Sequence, residues 1–146
     1  MTINENIFFV TGDLGFGIAD KIKQDFPKRF INVGAAEVCL LGASVGLAME
    51  GRVVFCYSIT PFLLWRGAEV IRNYINHESV AVKLVGSGRD ADYSHDGWSH
   101  DATDDADFLS LFHNIKPYWP QSKEEIPNLV DEMISNLKPY YLNLKR

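Results

Sequence analysis

Short apolar runs alternate along the chain with longer segments that carry apolar residues at helical spacing. The runs are rich in β-branched and aromatic residues and predict strands at 7–11, 30–33, 52–57, 80–85, 115–119 and 139–144. Helices are predicted between them, at 17–25, 34–49 and 60–77, from about 103, and from 122. Because strands alternating with helices of this length form βαβ units, we predict an α/β fold, with three αβα layers and a mainly parallel sheet of about six strands.

One of these segments, residues 30–51, carries a single acid ahead of a long uncharged helix. No residue after Glu37 is charged through Met49, so the helix is predicted to be buried on most sides. It has small residues that would let a neighbouring backbone approach closely: Gly42, Ala43 and Gly46. A lone carboxylate at the head of a buried helix is costly unless it has a partner or a task.

Composition narrows the class of protein. With 146 residues, 47% of them hydrophobic and 23% charged, we expect an ordinary globular chain with one domain over residues 1–146. The net charge of −5 argues against nucleic acid or an anionic membrane as the main partner. We find no signal peptide and no apolar run long enough to span a bilayer, so we expect a cytoplasmic protein. Cys39 and Cys56 lie in apolar runs and are expected to be small core residues, with a disulfide between them disfavoured.

Two stretches have unusual composition. Gly12 to Gly17 has the spacing G-x-x-G-x-G, which differs from the dinucleotide fingerprint, so a tight turn from strand to helix is favoured over a nucleotide site. Residues 89–107 are rich in His, Asp, Gly and Trp. Because their spacings fit no standard zinc pattern, we predict a hydrated loop or helix start and no metal site.

Four blocks, taken in order, carry a family resemblance: VTGDLGFG, FINVGAAEVCLLGASVGLAMEG, FCYSITPFLLWRGAEVIRN and DGWSHDATDDADFLSLFHNIKPYWPQSKEE. Together they resemble the pyrimidine-binding (central) domain of the transketolase family of thiamine-diphosphate enzymes, over about Phe8 to Arg146. The fourth block is similar to the family's loop DG-x-TH-x-x-x-ED. The family's diphosphate and magnesium motif, GDG followed further on by Asn, does not occur in the sequence.

The resemblance implies a stand-alone pyrimidine-binding subunit of a split enzyme, with transketolase-like transfer of a two-carbon ketol unit between sugars. A partner subunit would bring the diphosphate site and Mg²⁺, so this chain would bind thiamine diphosphate at the interface and be inactive alone. We expect a heterotetramer, with a homodimer open to the isolated chain. The same domain also occurs in decarboxylases, deoxyxylulose-phosphate-synthase-like enzymes and oxo-acid dehydrogenases, and a non-catalytic binding module that kept the fold is a further alternative.

The resemblance also assigns cofactor-binding residues. Glu37 falls on the family's catalytic glutamate, which hydrogen-bonds a ring nitrogen of the cofactor's aminopyrimidine and activates the cofactor. Phe62 aligns with the ring that stacks on the pyrimidine. Trp65, about one helical turn on, would face the same way, although aromatics at helical spacing usually belong to the core. Asp13 matches an aspartate near the cofactor, with a turn-forming role as its alternative.

The resemblance also assigns residues that would contact the substrate. Asp96 and His100 match residues that face the hydroxyls and carbonyl oxygen of the sugar, where a histidine can donate to a developing alkoxide and shuttle protons. Arg146 aligns with an arginine that contacts the substrate phosphate, but Gly17 replaces the serine that shares this contact, so a phosphorylated sugar is not assigned. Two acids occupy the family's Glu-Asp position and are expected to cap the following helix: Asp104 and Asp105.

Overall fold

The computed structural model describes residues 4–15 and 17–146; Phe16, within the predicted glycine-rich turn, lies outside the described residues. The strands are β1 (Ile7–Thr11), β2 (Phe30–Asn32), β3 (Val53–Ile59), β4 (Val82–Ser87), β5 (Lys116–Tyr118) and β6 (Tyr140–Leu144). They form one sheet in the order β2-β1-β3-β4-β6-β5, and every neighbouring pair is parallel. The predicted α/β fold with a parallel six-stranded sheet is confirmed.

The helices connect successive strands: α1 (Asp20–Asp25), α2 (Glu37–Met49), α3 (Ala68–Val70), α4 (Asp105–Ser110) and α5 (Ile126–Ser135). Wide π-helical turns flank α3, at Phe62–Arg66 and Ile71–His77. We call residues 62–77 the irregular helix. None of the helices in the described part of the chain is long and apolar enough to cross a membrane.

The two faces of the sheet bury separate apolar clusters. Along β3, Val54 and Cys56 pack in the cluster that includes α2, the irregular helix and α4. Phe55 and Tyr57 point the other way, into the cluster that includes α5. Side chains alternate in this way because successive residues of a strand face opposite sides. The strand predicted at 80–85 lies at Val82–Ser87, so its carboxyl end leads directly into the polar stretch 89–107.

Within this chain, helix α2 is covered on one side only, so the prediction of burial on most sides is wrong for the chain alone. Its buried side chains form one stripe against the sheet: Glu37, Leu40, Leu41, Ser44 and Val45. The residues on its other side are exposed: Val38, Cys39, Gly42, Gly46 and Met49. We call these five residues the open face of α2. Apart from the neighbouring residues and backbone of α2 itself, nothing in the described chain lies within 4 Å of where a Cβ on Gly42 or Gly46 would stand.

The two cysteines have different surroundings, and both are free thiols. Cys56 is buried in β3 as expected, and burial raises the pKa of its thiol to about 12. Cys39 is exposed, so its predicted place in the core is wrong. The residue lies in an apolar run, but the helical period turns it away from the stripe that packs on the sheet.

Candidate functional site

The sequence-predicted site residues all follow the carboxyl end of a strand. The loop after β1 carries Asp13, the turn after β2 leads to Glu37, and the segment after β3 begins the irregular helix with Phe62 and Trp65. The loop after β4 carries Asp96 and His100, and Arg146 follows β6. Because all strands are parallel, these segments lie along one edge of the sheet, which is where open α/β sheets bind ligands.

Glu37 is a buried acid that lies at the wall of an open cleft. It is the first residue of α2 and only 5% of it is exposed. One carboxylate oxygen accepts a hydrogen bond from Arg66 Nη1 at 2.8 Å, and the other accepts from Ser58 Oγ at 3.4 Å. The partial positive charge of the helix N-terminus and the charge of the guanidinium both lie next to this side chain. Arg66 and residues 35–39 line the cleft beside it.

Arg66 joins Glu37 to Phe62. Its guanidinium carbon lies 3.9 Å from the centroid of the Phe62 ring while the same group holds the Glu37 carboxylate. Arg66 is not among the site residues predicted from the sequence. Two signals could have found it: Arg66 is the only charged residue from 53 to 68, and it stands four positions after Phe62, a spacing that brings side chains together on a helix.

His100 meets Phe62 from the loop that follows β4. The two ring centroids are 4.8 Å apart in an edge-on arrangement, and His100 Nδ1 lies 3.0 Å from Ser99 Oγ. Gly97 separates two short 3₁₀ turns, Ser94–Asp96 and Trp98–His100, with a φ of 86° that favours glycine. Glu37, Arg66, Phe62 and His100 thus form a continuous chain of contacts from three different connections of the sheet.

Asp96 and Trp65 lie at the border of this group. The Asp96 carboxylate is 3.3 Å from His95 Nε2 and is exposed. Trp65 is 52% exposed, and its ring packs edge-on against Phe108 at 4.9 Å. Trp65 and Phe62 both line a cavity of about 220 Å³. The roles predicted for Asp96 and Trp65 therefore stay predictions.

Asp13 and Arg146 stand farther along the same edge. Asp13 is exposed, and its Oδ1 is 3.4 Å from Asn32 Nδ2. The backbone N–H of Arg146 donates to Asp92 Oδ2 at 2.9 Å, and its guanidinium carbon lies 5.2 Å from the Tyr93 centroid. The ring of Tyr93 is 6.5 Å from that of His100. One aromatic ring therefore separates Arg146 from His100.

The two acids predicted to cap the helix after the loop do not cap it. Asp104 occupies the N-cap position of α4, but neither it nor Asp105 makes a side-chain cap within the described residues. Asp105 is instead buried, and its Oδ2 accepts hydrogen bonds from Trp119, Tyr141 and Asn143. These donors come from later parts of the chain, which local sequence spacing does not reveal.

The arrangement offers a dry carboxylate, an aromatic ring and an imidazole around an open cleft. Such a set can hold a polar heteroaromatic ring through the carboxylate and the aromatic ring, and the imidazole can exchange a proton with a bound molecule. Among residues 4–15 and 17–146 no group of three His, Cys, Asp or Glu side chains is arranged to hold a metal ion.

Comparison with known proteins gives consistent matches over this length. A family model for "Transketolase, pyrimidine binding domain" matches residues 1–146. One of the subunits of the apulose-4-phosphate transketolase of Actinobacillus succinogenes is 35% identical over 127 residues, which are 87% of this chain and 40% of that protein. The putative transketolase C-terminal section of Methanocaldococcus jannaschii is 29% identical over 143 residues, which are 97% of this chain and 45% of that protein.

The fold has close counterparts among solved structures. One described as "Split gene transketolase, inactive beta4 tetramer" has a TM-score of 0.87 and 26% identity, and the match covers 99% of this chain and 46% of that chain. The chain thus spans less than half the length of both curated relatives and of this structural neighbour.

Proposed function

This chain belongs to the family of transketolase pyrimidine-binding domains, and from that premise we propose that it is the pyrimidine-binding subunit of a split thiamine-diphosphate enzyme. The reaction we propose is transfer of a two-carbon ketol unit between sugars. The observation that carries the proposal is the buried Glu37 carboxylate at the start of α2, joined through Arg66 to the Phe62 ring. The names of the relatives, one a transketolase subunit and the other a transketolase section, support it.

The residues around Glu37 fit the pyrimidine half of thiamine diphosphate. The buried carboxylate can accept a hydrogen bond from, or share a proton with, a nitrogen of the aminopyrimidine. The half-buried Phe62 offers a ring for stacking. When bound, the cofactor supplies a centre that stabilises a carbanion. We propose that Glu37 orients and activates it and that Trp65 and Asp13 lie at its border.

The sugar would lie between His100 and the carboxyl end of β6. His100 can donate a hydrogen bond to an oxygen that gains negative charge and can move a proton there. We propose that Asp96 binds hydroxyl groups of the sugar and that Arg146 contacts its far end. Support comes from the position of all three on one edge of the sheet, with Tyr93 between His100 and Arg146.

A partner subunit would complete the site. We propose that it brings the diphosphate site and Mg²⁺, that it contacts the open face of α2, and that the chain alone is inactive. The open face lies next to the cleft of Glu37 and holds two glycines with free space above them, so a neighbouring backbone could approach closely. We expect a two-fold assembly, most simply a heterotetramer. The two free thiols support a reducing, cytoplasmic setting.

Reconstitution with the candidate partner tests this proposal. The chain is mixed with a subunit that carries the GDG…N motif, and consumption of donor ketoses is measured for the natural chain and for Glu37→Gln. The Gln side chain keeps the shape but loses the acid, so we expect turnover to fall about 100-fold or more. Normal turnover by Glu37→Gln would refute the role of Glu37. A natural mixture that binds cofactor but consumes no ketose would point to another thiamine-diphosphate reaction.

A further inference from the structure

A buried polar cluster lies behind the candidate site and is not part of the proposed chemistry. We call it the Asp105 cluster: Thr60, Asp105, Trp119, Tyr141 and Asn143. Asp105, Tyr141, Asn143 and Thr60 are each less than 7% exposed. A charged side chain at such burial requires several hydrogen-bond partners to offset its lost hydration.

Three donors of this cluster converge on one oxygen. Asp105 Oδ2 accepts from Trp119 Nε1 at 2.7 Å, from Tyr141 OH at 2.9 Å, and from Asn143 Nδ2. Burial, with a further contribution from the nearby Asp105 carboxylate, raises the pKa of Tyr141 well above its ordinary value. Tyr141 therefore remains a neutral donor over the whole working range of pH, and the contact does not switch.

One arm of the cluster reaches the segment that supplies Phe62. Thr60 Oγ1 donates to Asn143 Oδ1 at 3.2 Å, and Thr60 stands two residues before Phe62. A Cβ placed on Gly86 would collide with Thr60 Oγ1 and would lie 3.2 Å from Tyr141 OH. Strand β4 therefore packs tightly against Thr60. This packing and the hydrogen bond to Asn143 together fix the position of the Thr60 side chain.

The other arm is the loop that supplies His100. Asp105 is the first residue of α4 and follows His100 by only five positions. The intervening residues are tied down by hydrogen bonds from Thr103 to Asp101 Oδ1 and by a backbone bridge between Ala102 and Asp90. Only four residues, held by these bonds, therefore separate Asp105 from His100.

We propose that Asp105 is a positioning residue that sets the placement of His100 relative to Phe62. It holds the segment of Phe62 through Asn143 and Thr60, and it anchors the end of the loop that carries His100. It touches neither ring. The effect of this placement on catalysis rests on the proposed function. The placement itself can be measured on this chain without any activity.

The chain offers a control carboxylate on the opposite face of the sheet, where Tyr140 packs with α5. Glu132 accepts hydrogen bonds from Tyr118 OH and Tyr140 OH and forms an ion pair with Lys116 at 2.8 Å. It is also a carboxylate held by tyrosines, but it joins α5 to both ends of the short strand β5 and to the first residue of β6. Its removal should weaken packing without affecting the segments of Phe62 or His100.

Nuclear magnetic resonance of the full 146-residue chain tests the placement without any activity. The chain has four histidines, so the imidazole signals of His100 can be assigned with His100→Gln. The part of their chemical shift that the Phe62 ring causes is measured as the difference between the natural chain and Phe62→Leu. We expect Asp105→Ala to lose most of this shift. Asp105→Asn retains an oxygen acceptor and should keep most of it, and Glu132→Ala should leave it unchanged.

Two milder variants keep the test decisive if Asp105→Ala fails to fold. Tyr141→Phe and Thr60→Val each remove one hydroxyl from the cluster and should each lose part of the His100 shift. Unchanged His100 signals in folded Asp105→Ala, or in both milder variants, would overturn the proposal. An equal loss in Glu132→Ala would also overturn it, because the effect would then reflect general loosening.

Turnover of the reconstituted enzyme provides the second readout. We expect kcat of Asp105→Ala to fall by about tenfold to 100-fold, because a displacement of about 1 Å is enough for such a loss, while Glu132→Ala keeps its kcat. If the natural chain shows no turnover with a partner, the proposed function fails, and the His100 signals still decide the positioning role of Asp105.

Discussion

Two isolated charges, Glu37 and Arg66, account for much of the candidate site. Each lies in an otherwise uncharged run of the sequence, and in the fold they meet at 2.8 Å. The sequence predicts that Glu37 needs a partner, because a buried acid alone is costly. It does not identify the partner, because the pairing depends on how the connection after β3 packs against the start of α2.

The pairing predicts a specific pattern in a double-mutant cycle. Replacing Arg66 by Met leaves the buried Glu37 carboxylate without its cation, and we expect unfolding in urea to show a loss of about 1 kcal/mol, since Arg66 itself is half exposed. In a Glu37→Gln background the same substitution should cost much less. Equal costs in the two backgrounds would show that the ion pair contributes nothing.

A buried lysine predicts a dependence of stability on alkaline pH. Lys83 is 1% exposed, and its Nζ donates to the backbone oxygens of Asn136 and Lys138. Burial lowers the pKa of Lys83 from 10.5 to about 8. Between these two values the unfolded chain binds more protons than the folded one at this group, so its contribution to the free energy of unfolding rises with pH from about 8 to 10.5.

The test compares the natural chain with Lys83→Met, using urea unfolding at several pH values. The variant is expected to be less stable overall by about 1–3 kcal/mol, since two buried carbonyl oxygens lose their donor. Its stability should also lack the rise assigned to Lys83, so the difference between the two chains should grow with pH. A constant difference across the range would refute the assignment.

At the scale of elements, the sequence predicts where helices lie better than which sides they bury. The uncharged run after Glu37 predicts α2 correctly, but apolar character alone does not reveal whether the covering surface belongs to the same chain. The spacing also predicts that Trp65 lies on the same side as Phe62, and both side chains line one cavity. The spacing does not predict the wide turn at Phe62–Arg66 or the packing of the Trp65 ring against Phe108.

The open face of α2 predicts a variant that separates folding from assembly. Gly46→Gln should stabilise the isolated chain or leave it unchanged, because Gln has a higher helix propensity and meets no neighbour within the described residues. The larger side chain should prevent close approach of the partner subunit. Sedimentation of the mixed subunits should then show free chains instead of the complex.

The control substitution is Asn128→Gln, at an exposed site on α5, which should leave assembly intact. Full assembly of Gly46→Gln with the partner would show that the subunits meet elsewhere. Loss of assembly with both substitutions would show that the effect is not specific to α2.

For the whole molecule, the sequence predicts the parallel sheet and the edge on which the site lies, because strand runs and the residues after them are local features. It does not predict contacts between distant segments. Asp105 illustrates this limit: it was expected to cap a helix nearby, but its hydrogen-bond donors come from residues 119–143. Tertiary packing decides between a surface cap and a buried anchor.

The central claim is that this chain provides half of a thiamine-diphosphate site. Calorimetric titration of thiamine diphosphate with Mg²⁺ tests it most directly, first on the chain alone and then on the chain mixed with the candidate diphosphate-binding subunit. We expect heat of binding only in the mixture, and loss of that heat with Phe62→Ala. Tight binding to the chain alone, or no binding in the mixture, would contradict it.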